Sequence, residues 1–310
     1  MDAPTLPILK DADVASLVSM SEAIDVIETA LARKGRGQFV TPPRHYVPNK
    51  NGALVFTIGG DADEGAIGFR VYGAFAGGVR DSQVVAVFDA KTGALKGLVL
   101  GEVVGSMRTG AIGGVAMKHG ARPDARVVGV IGSGEQARTQ VEAAAAVRDL
   151  AEVRVYSRTP AHREAFAAKM SERLGLPVFA VPSAEEAVRS ADIVVTATNS
   201  GTPLFDAALL SPGAHVNALG PTFAQRHELD AAVAERAASI FTDSPEQLRA
   251  YPEPSFLEGT PHIARVSDLA GHVAGGAPIR SSGEDITLFL SVGLSGTEVV
   301  LADLALSKVK

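Results

Sequence analysis

The sequence of 310 residues contains no cysteine. This absence excludes a disulfide framework, a thiol nucleophile and a metal site built from thiolates. The seven histidines are scattered without the paired spacing of a metal-binding motif, so we expect no metal centre. Long basic blocks are also missing and the formal net charge is −6, which argues against nucleic acid or an anionic membrane surface as a partner.

Segments that direct a chain to a membrane are missing as well. Residues 1–4 lack the basic region and the apolar core of a signal peptide. No apolar run approaches the length that spans a bilayer. With 46% hydrophobic and 21% charged residues, the chain has enough apolar surface for one large or two ordinary globular domains. We therefore expect a cytoplasmic globular protein.

A glycine-rich turn lies between a strand pattern and a helix pattern near the middle of the chain. The β-branched run Val127–Ile131 is typical of a buried parallel strand, and the alanine-rich stretch Thr139–Val147 is typical of a helix. The turn between them reads Gly-x-Gly-x-x-Ala over Gly132–Ala137. Its glycines allow close approach to a pyrophosphate, and the helix N-terminus offers free N–H groups to the anion. With a second strand at Val153–Ser157, the pattern predicts a dinucleotide-binding site.

The end of that second strand indicates which dinucleotide is bound. An NAD site usually carries Asp or Glu there, which binds the ribose 2′-OH. This chain has Ser157 instead, followed by Arg158 and Thr159. The guanidinium can pair with a 2′-phosphate, and the two hydroxyls are further donors. The sequence therefore favours NADP(H), with NAD(H) as the alternative.

The order of the elements predicts an α/β fold in two domains. A capping box at Ser19–Glu22 begins a helix, and five strands follow, of which the last two form an antiparallel hairpin. From the dinucleotide motif onward, strands and helices alternate, as in a Rossmann-type doubly wound parallel sheet. We place the first domain at residues 1–118 with 294–310 and the NAD(P)-binding domain at 119–293. The five predicted strands, with a glycine-rich loop before the fourth, are Arg44–Val47, Ala53–Ile58, Ile67–Tyr72, Gln83–Phe88 and Ala94–Leu100.

Motifs along the whole chain carry a resemblance to a known family. They are Pro42-Pro43-Arg44, Gly101-Glu102 with Met107–Ala111, Gly132–Arg138, Asn217–Gly220 with Glu228-Leu229-Asp230, and Ser291-Val292-Gly293. In this order they resemble the ornithine cyclodeaminase/mu-crystallin family. The resemblance implies a Rossmann domain and an N-terminal α/β domain that binds substrate and forms a homodimer through its sheet. It also implies NAD(P)-dependent activity on amino acids or their imines: cyclodeamination, alanine-type dehydrogenation or ketimine reduction.

The resemblance assigns roles to individual residues. Arg44 and Arg108 correspond to arginines that face the substrate carboxylate, and a guanidinium suits this role because it offers two parallel donors and stays charged. The alternative for each is a surface or structural ion pair. Thr109 corresponds to a residue near the cofactor phosphates, and Thr196–Thr198 ends a strand where a switch-point ligand passes. The candidate cofactor-binding residues are Thr109, Gly132, Ser133, Gly134, Glu135, Gln136, Ala137, Ser157, Arg158, Thr159, Thr196, Ala197 and Thr198.

Two positions depart from the family pattern. Arg70 stands where members usually have a lysine, and arginine can anchor a carboxylate or polarise an imine but cannot lose its proton at a usable pH. Thr222 stands where cyclodeaminases and alanine dehydrogenases have an aspartate, and it cannot act as a carboxylate base. The mu-crystallin branch, which reduces cyclic ketimines, also has a small hydroxyl residue there. Both departures favour reduction, because an iminium can arrive already protonated and needs only orientation against the nicotinamide.

The sequence thus predicts an NADPH-dependent reductase of imino acids. Arg70, Arg108 and Thr222 are the candidate catalytic residues, and Arg44, Arg70 and Arg108 are the candidate ligands of the substrate carboxylate. One alternative is a lyase that cyclodeaminates ornithine or lysine with bound NAD, and another is a non-catalytic protein that binds NADPH and a small ligand. Glu228 is expected to cap a helix or hold the preceding loop. The remaining side chains that could donate a proton, although such residues are more often packed, are His45, Tyr46 and Tyr72.

Overall fold

The computed structural model describes residues 6–63, 65–75 and 82–309. Its contacts separate into two compact units, one extending to Arg108 and including the segment from Leu294, and the other formed by Thr109–Gly293. The predicted boundary after residue 118 falls inside the same helix as the observed one. Residues 1–4, where the sequence predicts no signal peptide, and part of the predicted glycine-rich loop lie outside the described residues.

The elements are numbered in chain order. The strands are β1 (Ile8–Leu9), β2 (Phe39–Val40), β3 (His45–Asn49), β4 (Gly52–Asp61), β5 (Ala66–Phe75), β6 (Val84–Asp89), β7 (Leu95–Leu100), β8 (Val127–Ile131), β9 (Glu152–Tyr156), β10 (Val178–Ala180), β11 (Ile193–Thr196), β12 (His215–Ala218), β13 (Thr222–Phe223), β14 (Arg226–His227), β15 (Ser239–Thr242), β16 (Val266–Asp268) and β17 (Thr287–Leu290). The helices are α1 (Asp11–Leu17), α2 (Met20–Gly35), α3 (Val103–Gly120), α4 (Glu135–Val147), α5 (Pro160–Leu174), α6 (Ala184–Val188), α7 (Ala231–Arg236), α8 (Pro245–Ala250), α9 (Leu269–Val273) and α10 (Thr297–Ser307).

The first unit is built on one seven-stranded sheet. Its order is β1-β7-β6-β5-β4-β2, with β3 also paired to β4, and every pair except β1–β7 is antiparallel. Helix α2 begins at the predicted capping box, in which Ser19 and Glu22 cap each other, and it buries Ile24, Ile27 and Leu31. Helix α10 packs on β4, β5, β6 and β7 and on α2. The two helices therefore cover one face of the sheet.

The other face of this sheet carries large apolar side chains that remain exposed. Along β4, Val55 and Thr57 are buried, whereas the alternate residues Leu54 and Ile58 are 41% and 45% exposed. The cross-strand register places Val47 opposite Leu54 and therefore on the same face. Other exposed apolar residues on this face are Ile8, Val40, Ile67 and Leu95. The two-residue period of the strands thus gives the sheet one core face and one exposed apolar face.

The second unit has the predicted doubly wound sheet. Its eight strands are all parallel, in the order β10-β9-β8-β11-β12-β17-β15-β16. The residues of β11 alternate between two apolar clusters, with Ile193 and Val195 in one and Val194 in the other. Helices α4 and α5 contribute to the first cluster, and α6 and α7 contribute to the second. Because the strand order reverses between β8 and β11, a ligand cleft is expected at the carboxyl ends of these two strands.

A buried histidine lies in the interior of the second unit. His215, on β12, is fully buried and stacks on Phe241, with ring centroids 6.1 Å apart. The Thr287 hydroxyl donates to the Gly120 carbonyl and therefore accepts from the Nδ1–H of His215, at 2.9 Å. Burial, with a smaller effect of nearby arginine charges, lowers the pKa of His215 to about 3. The imidazole is therefore neutral in the folded protein at neutral pH.

The predicted elements differ from the observed ones mainly at their ends and in short pieces. Arg44 was placed in a strand, but β3 begins at His45 and Arg44 precedes it. The short elements β1, α1, β2, α8, β16 and α9, and the hairpin of β13 with β14, were not predicted. Such pieces span too few residues to show a period of 2 or 3.6. Among the described residues, no helix combines the length and the apolar character needed to cross a bilayer.

Candidate active site

The predicted dinucleotide turn lies between β8 and α4. Gly132 has φ +125°, and a Cβ there would lie 2.3 Å from the carbonyl oxygen of Ala197, so only glycine fits. Gly134 is the N-cap of α4 and provides no side-chain cap, and open space surrounds the position of its missing Cβ. The first N–H groups of α4 can therefore bind an anion. Ala137 is fully buried in the core that joins α4 to the sheet. These features fit the pyrophosphate of a dinucleotide.

The remaining predicted residues of this turn lie on its exposed side. Ser133 and Glu135 line a cavity of about 300 Å³ between the N-terminal halves of α4 and α5. The carboxylate of Glu135 pairs with Arg138, so its main-chain N–H is the group that can contact a phosphate. Gln136, in the first turn of α4, is half-buried.

The segment after β9 presents its polar groups to solvent. Ser157 is half-buried and its hydroxyl donates to the Thr159 carbonyl at 3.4 Å, while Arg158 and Thr159 are exposed. The Ser157 carbonyl also accepts from Nη1 of Arg163 at 2.9 Å, and this guanidinium lies 5.7 Å from the ring centre of Tyr156. Arg163 is thus a second cation near Ser157, and sequence reasoning missed it. No sequence pattern links the two residues, because Arg163 lies on α5, six positions after Ser157.

A buried carboxylate ties together the loops that follow β11 and β12. Glu228 accepts from the main-chain N–H of Thr198 at 2.6 Å, from the Thr198 hydroxyl at 2.5 Å, and from the Gly220 N–H at 2.8 Å. Burial raises the pKa of Glu228, against the lowering effect of the hydrogen bonds from Thr198 and Gly220. A Cβ at position 220 would lie 2.1 Å from the Glu228 carboxyl group, so glycine is required there. Glu228 holds the preceding loop as expected but caps no helix, because the N-cap of α7 is Asp230.

The Glu228 carboxylate also fixes the predicted cofactor-binding residues at the end of β11 through its hydrogen bonds to Thr198. Thr196 is the last residue of β11 and is fully buried, with Ala197 and Thr198 following it. Thr196 lies beside Ala218 on β12, so the two loops leave the sheet at the same edge. This edge includes the switch point, where the nicotinamide half of a dinucleotide is expected.

Polar side chains connect this edge to the helix before β8. The Asn217 amide donates to Oε1 of Gln140 at 2.7 Å, and Gln140 Nε2 donates to the Thr109 carbonyl at 3.0 Å. Gln140 and Asn217 are both fully buried. A Cβ at Gly113 would lie 2.0 Å from Gln140 Oε1, so this glycine makes room for the amide. The network fixes Thr109 relative to α4.

Thr222 lies on a small hairpin that follows Gly220. It is 6% exposed and is paired across β13 and β14 with His227. Its carbonyl accepts from the Phe256 N–H at 2.9 Å. The residue at the family's aspartate position is therefore held through its main chain by the hairpin and by Phe256.

In the first unit, Arg70 is buried rather than solvent-facing. Only 8% of the residue is exposed, and its guanidinium lies 4.3 Å from the ring centre of Tyr72. Its Nε donates to Oε1 of Gln83 at 3.0 Å, and its Nη1 donates to Oε1 of Glu298 at 3.0 Å. Contacts with Tyr72, Gln83 and Glu298 thus define the position of this cation. Tyr72 is a packing partner of Arg70 here.

Arg108 contacts the same carboxylate as Arg70, and the charge of Arg44 also acts on it. Nη2 of Arg108 lies 3.2 Å from Oε1 of Glu298, a residue with no exposed surface. Burial alone would raise the pKa of Glu298, but the positive charges of Arg108, Arg70 and Arg44 outweigh it and hold the pKa below its usual range. Glu298 is therefore ionised; Arg70 and Arg108 contact it directly, and the charge of Arg44 acts on it as well. We call Arg44, Arg70, Arg108 and Glu298 the arginine cluster.

Sequence reasoning missed the residues that organise this cluster. Glu298 lies 228 positions after Arg70, so only the return of α10 to the first sheet brings them together. No sequence pattern indicates that Gly105 on α3 is important either, yet a Cβ there would lie 2.6 Å from Nη2 of Arg70. The one available signal was an acidic residue in the first turn of a mostly apolar helix.

The weaker candidates gain no support. His45 and Tyr46 lie on β3, at the exposed edge of the first sheet. Within the described ranges, no group of three or more His, Asp or Glu side chains is arranged to hold a metal ion.

Similar proteins and solved structures agree with this fold over nearly the whole chain. The family model described as "Ornithine cyclodeaminase/mu-crystallin family" matches residues 6–310. A Δ1-pyrroline-2-carboxylate reductase from Bacillus cereus is 33% identical over 302 residues, which is 92% of this chain and 91% of the relative. The solved structure of the Thermococcus litoralis Δ1-pyrroline-2-carboxylate reductase, in complex with NADH and L-proline, is 32% identical with a TM-score of 0.89, covering 97% of this chain and 96% of that chain.

A third similar protein is an archaeal alanine dehydrogenase dimer with bound NAD. It is 29% identical with a TM-score of 0.88, and the match covers 98% of this chain and 95% of that chain. The match of the family model over nearly the whole sequence agrees with the resemblance carried by the individual motifs. The chain belongs to the ornithine cyclodeaminase/mu-crystallin family.

Proposed function

We propose that this protein is an NADPH-dependent reductase of imino acids, either cyclic ketimines or imines of 2-keto acids. The hydride goes to the carbon next to the carboxylate. The observation that carries the proposal is the contact of Arg70 and Arg108 with the buried carboxylate of Glu298, on which the charge of Arg44 also acts. A guanidinium has five N–H donors in a planar fork, so an arginine that is held through one edge can bind a carboxylate through another.

The residues divide the reaction between them. The nicotinamide cofactor supplies the hydride when it is bound, and the Gly132–Ala137 turn holds its pyrophosphate. Thr196–Thr198 and Gly220, fixed by Glu228, support the nicotinamide half. The arginine cluster binds the substrate carboxylate and so restricts the orientation of the substrate.

Thr222 favours reduction over cyclodeamination. A cyclodeaminase must take a proton from a stable ammonium group, and a threonine hydroxyl is no base for that step. Reduction of an iminium needs no base at this position. The reductases from Bacillus and Thermococcus, whose names state an imine substrate, support this choice.

We propose that NADPH is preferred over NADH. Ser157 replaces the acidic residue that binds a 2′-hydroxyl, and Arg158 with Thr159 is exposed beside it. The nearby guanidinium of Arg163 adds to the positive charge at this strand end. A 2′-phosphate would find cationic and hydroxyl donors there and no competing carboxylate at position 157.

We also propose that the protein is a homodimer that associates through the exposed apolar face of the first sheet. Val47, Leu54, Ile58 and Ile67 lie together on that face. The alanine dehydrogenase relative is described as a dimer, which supports the assignment. Ile58→Glu should shift the mass measured by light scattering from dimer to monomer, and an unchanged mass would refute this interface.

The function is tested by following NADPH consumption with a panel of substrates. The panel contains Δ1-pyrroline-2-carboxylate, Δ1-piperideine-2-carboxylate, and pyruvate or glyoxylate with ammonia or methylamine. NADH replaces NADPH in one control, and ornithine with NAD forms another. Turnover of an imine with NADPH supports the proposal. Proline formed from ornithine would instead establish the lyase, and tight NADPH binding without turnover of any imine would establish a binding protein.

A further inference from the structure

Reduction of an imine needs a proton as well as a hydride. The hydride adds to carbon, the C=N π bond breaks, and the electron pair that remains on nitrogen takes up a proton. Thr222 cannot supply this proton as a carboxylic acid would. Glu228 is close to the strand ends, but its oxygens already accept three hydrogen bonds from Thr198 and Gly220.

His227 shares a strand pair with Thr222. The two residues are direct partners in the antiparallel hairpin of β13 and β14. Residues directly opposite each other in such a pair point to the same face, with Cβ atoms about 5 Å apart. The imidazole therefore stands on the same face as the hydroxyl at the family's aspartate position.

Two contacts hold the imidazole ring in place. It stacks on Phe256, with ring centroids 5.3 Å apart and an interplanar angle of 18°. The main-chain N–H of Phe256 donates to the Thr222 carbonyl at 2.9 Å, so Phe256 and His227 flank Thr222 from opposite sides. The ring is thus held by Phe256 next to Thr222, and it is half-exposed.

The contacts also determine which nitrogen can exchange a proton. Nδ1 lies 3.0 Å from the Phe223 carbonyl, which only accepts, so Nδ1 carries a hydrogen. Nε2 makes no hydrogen bond to any residue that the structure describes. Nε2 is therefore the ring atom that is available to hydrogen-bond to a substrate and to pass a proton to it.

The charged groups around the hairpin contact residues other than the His227 ring. The Arg226 guanidinium lies 5.8 Å from the Phe223 ring centre. Glu253, from the segment packed against the hairpin, accepts from the Gln225 N–H at 3.3 Å, and Tyr251 contacts Phe223 edge-on. Glu228, the residue after His227, holds the two loops described above.

We propose that His227 is the general acid of this protein, and this inference rests on the proposed function. As the hydride reaches the imine carbon, Nε2–H of the imidazolium gives its proton to the substrate nitrogen. The imidazole is left neutral and is reprotonated by solvent. His227 thus takes the acid–base role that an aspartate at position 222 would have. Proton donation by His227 allows reduction at a pH where the free imine is unprotonated.

The test compares an imine, which must gain a proton on nitrogen, with its N-methyl iminium, which need not. Δ1-Pyrroline-2-carboxylate requires a proton on nitrogen, whereas its N-methyl iminium carries a permanent charge and requires none. We expect His227→Gln to lower kcat on the imine at pH 8 by about 100-fold, a typical loss for a general acid. Its kcat on the N-methyl iminium should stay within about twofold of the unmodified protein. His262→Gln, a histidine outside the site, serves as the matched control.

Each outcome decides the assignment. An equal loss on both substrates, or no loss on either, would overturn the role of His227. The unmodified protein supplies a second measurement that needs no variant: kcat on the imine should fall about twofold or more in D₂O, and kcat on the N-methyl iminium should not. Equal isotope effects on the two substrates would also overturn it. If the unmodified protein reduces neither substrate, the proposed function itself fails, and the inference fails with it.

Discussion

Gly105→Ala tests whether the arginine at position 70 depends on the glycine that faces it. The new Cβ would lie 2.6 Å from Nη2 and 2.9 Å from Cζ of Arg70, closer than real contacts allow, so the guanidinium must move. Moving it breaks hydrogen bonds to Gln83 and Glu298, each worth about 1.5–3 kcal/mol for a charged group. Alanine in a helix recovers about 1 kcal/mol relative to glycine. The net expectation is a loss of about 2–5 kcal/mol in the free energy of unfolding.

The same substitution in an Arg70→Lys background gives the matched comparison. Lysine has no second nitrogen at the position of the clash, so Gly105→Ala should then be neutral or stabilising by up to about 1 kcal/mol. Urea unfolding of the four proteins measures the coupling between the two positions. The KM for the imino acid should rise in the single Gly105→Ala variant, because the displaced guanidinium no longer meets the carboxylate. Equal destabilisation in both backgrounds would refute the reasoning.

Three further predictions follow from the buried charges and the cofactor site. Glu298→Gln leaves the guanidiniums of Arg70 and Arg108 without their shared carboxylate, so the free energy of unfolding should fall by about 3–5 kcal/mol in urea titration, and an unchanged value would contradict the cluster. His215 has a folded pKa of about 3 against 6.5 unfolded, so its contribution is complete above pH 6.5 and falls as the pH drops. Between pH 6.5 and pH 5 this loss is roughly 2 kcal/mol, and His215→Asn should not show it. Arg158→Ala should raise the KM for NADPH about tenfold or more and leave the KM for NADH unchanged; an equal change for both would remove Arg158 from 2′-phosphate recognition.

The fold of the second unit could be predicted well because its signals are local. The Gly132–Ala137 turn joins one strand to one helix within a few residues, and buried parallel strands such as β11 appear as continuous β-branched runs. The capping box at Ser19 and Glu22 is also local, and it gave the start of α2 correctly. The hairpin of β13 and β14 could not be predicted, because two residues per strand show no period.

The candidate site was only half visible in the sequence. Arg70 and Thr222 stood out because they depart from a family pattern at positions fixed by neighbouring motifs. Glu298 and Gly105 did not stand out, since their importance depends on contacts between residues far apart in the chain. Glu228 was noted, but its hydrogen bonds to two separate loops follow from the parallel register of β11 and β12, which no local pattern reports.

The central claim is that hydride passes from the nicotinamide to the carbon next to the substrate carboxylate. It is tested most directly with NADPH carrying deuterium at C4 of the nicotinamide, prepared separately in each of the two stereochemical forms, and Δ1-pyrroline-2-carboxylate as substrate. Mass spectrometry and NMR of the product should find one deuterium at the α-carbon of proline from one form of the cofactor and none from the other. Proline without deuterium from either form, or no proline at all, would contradict the account.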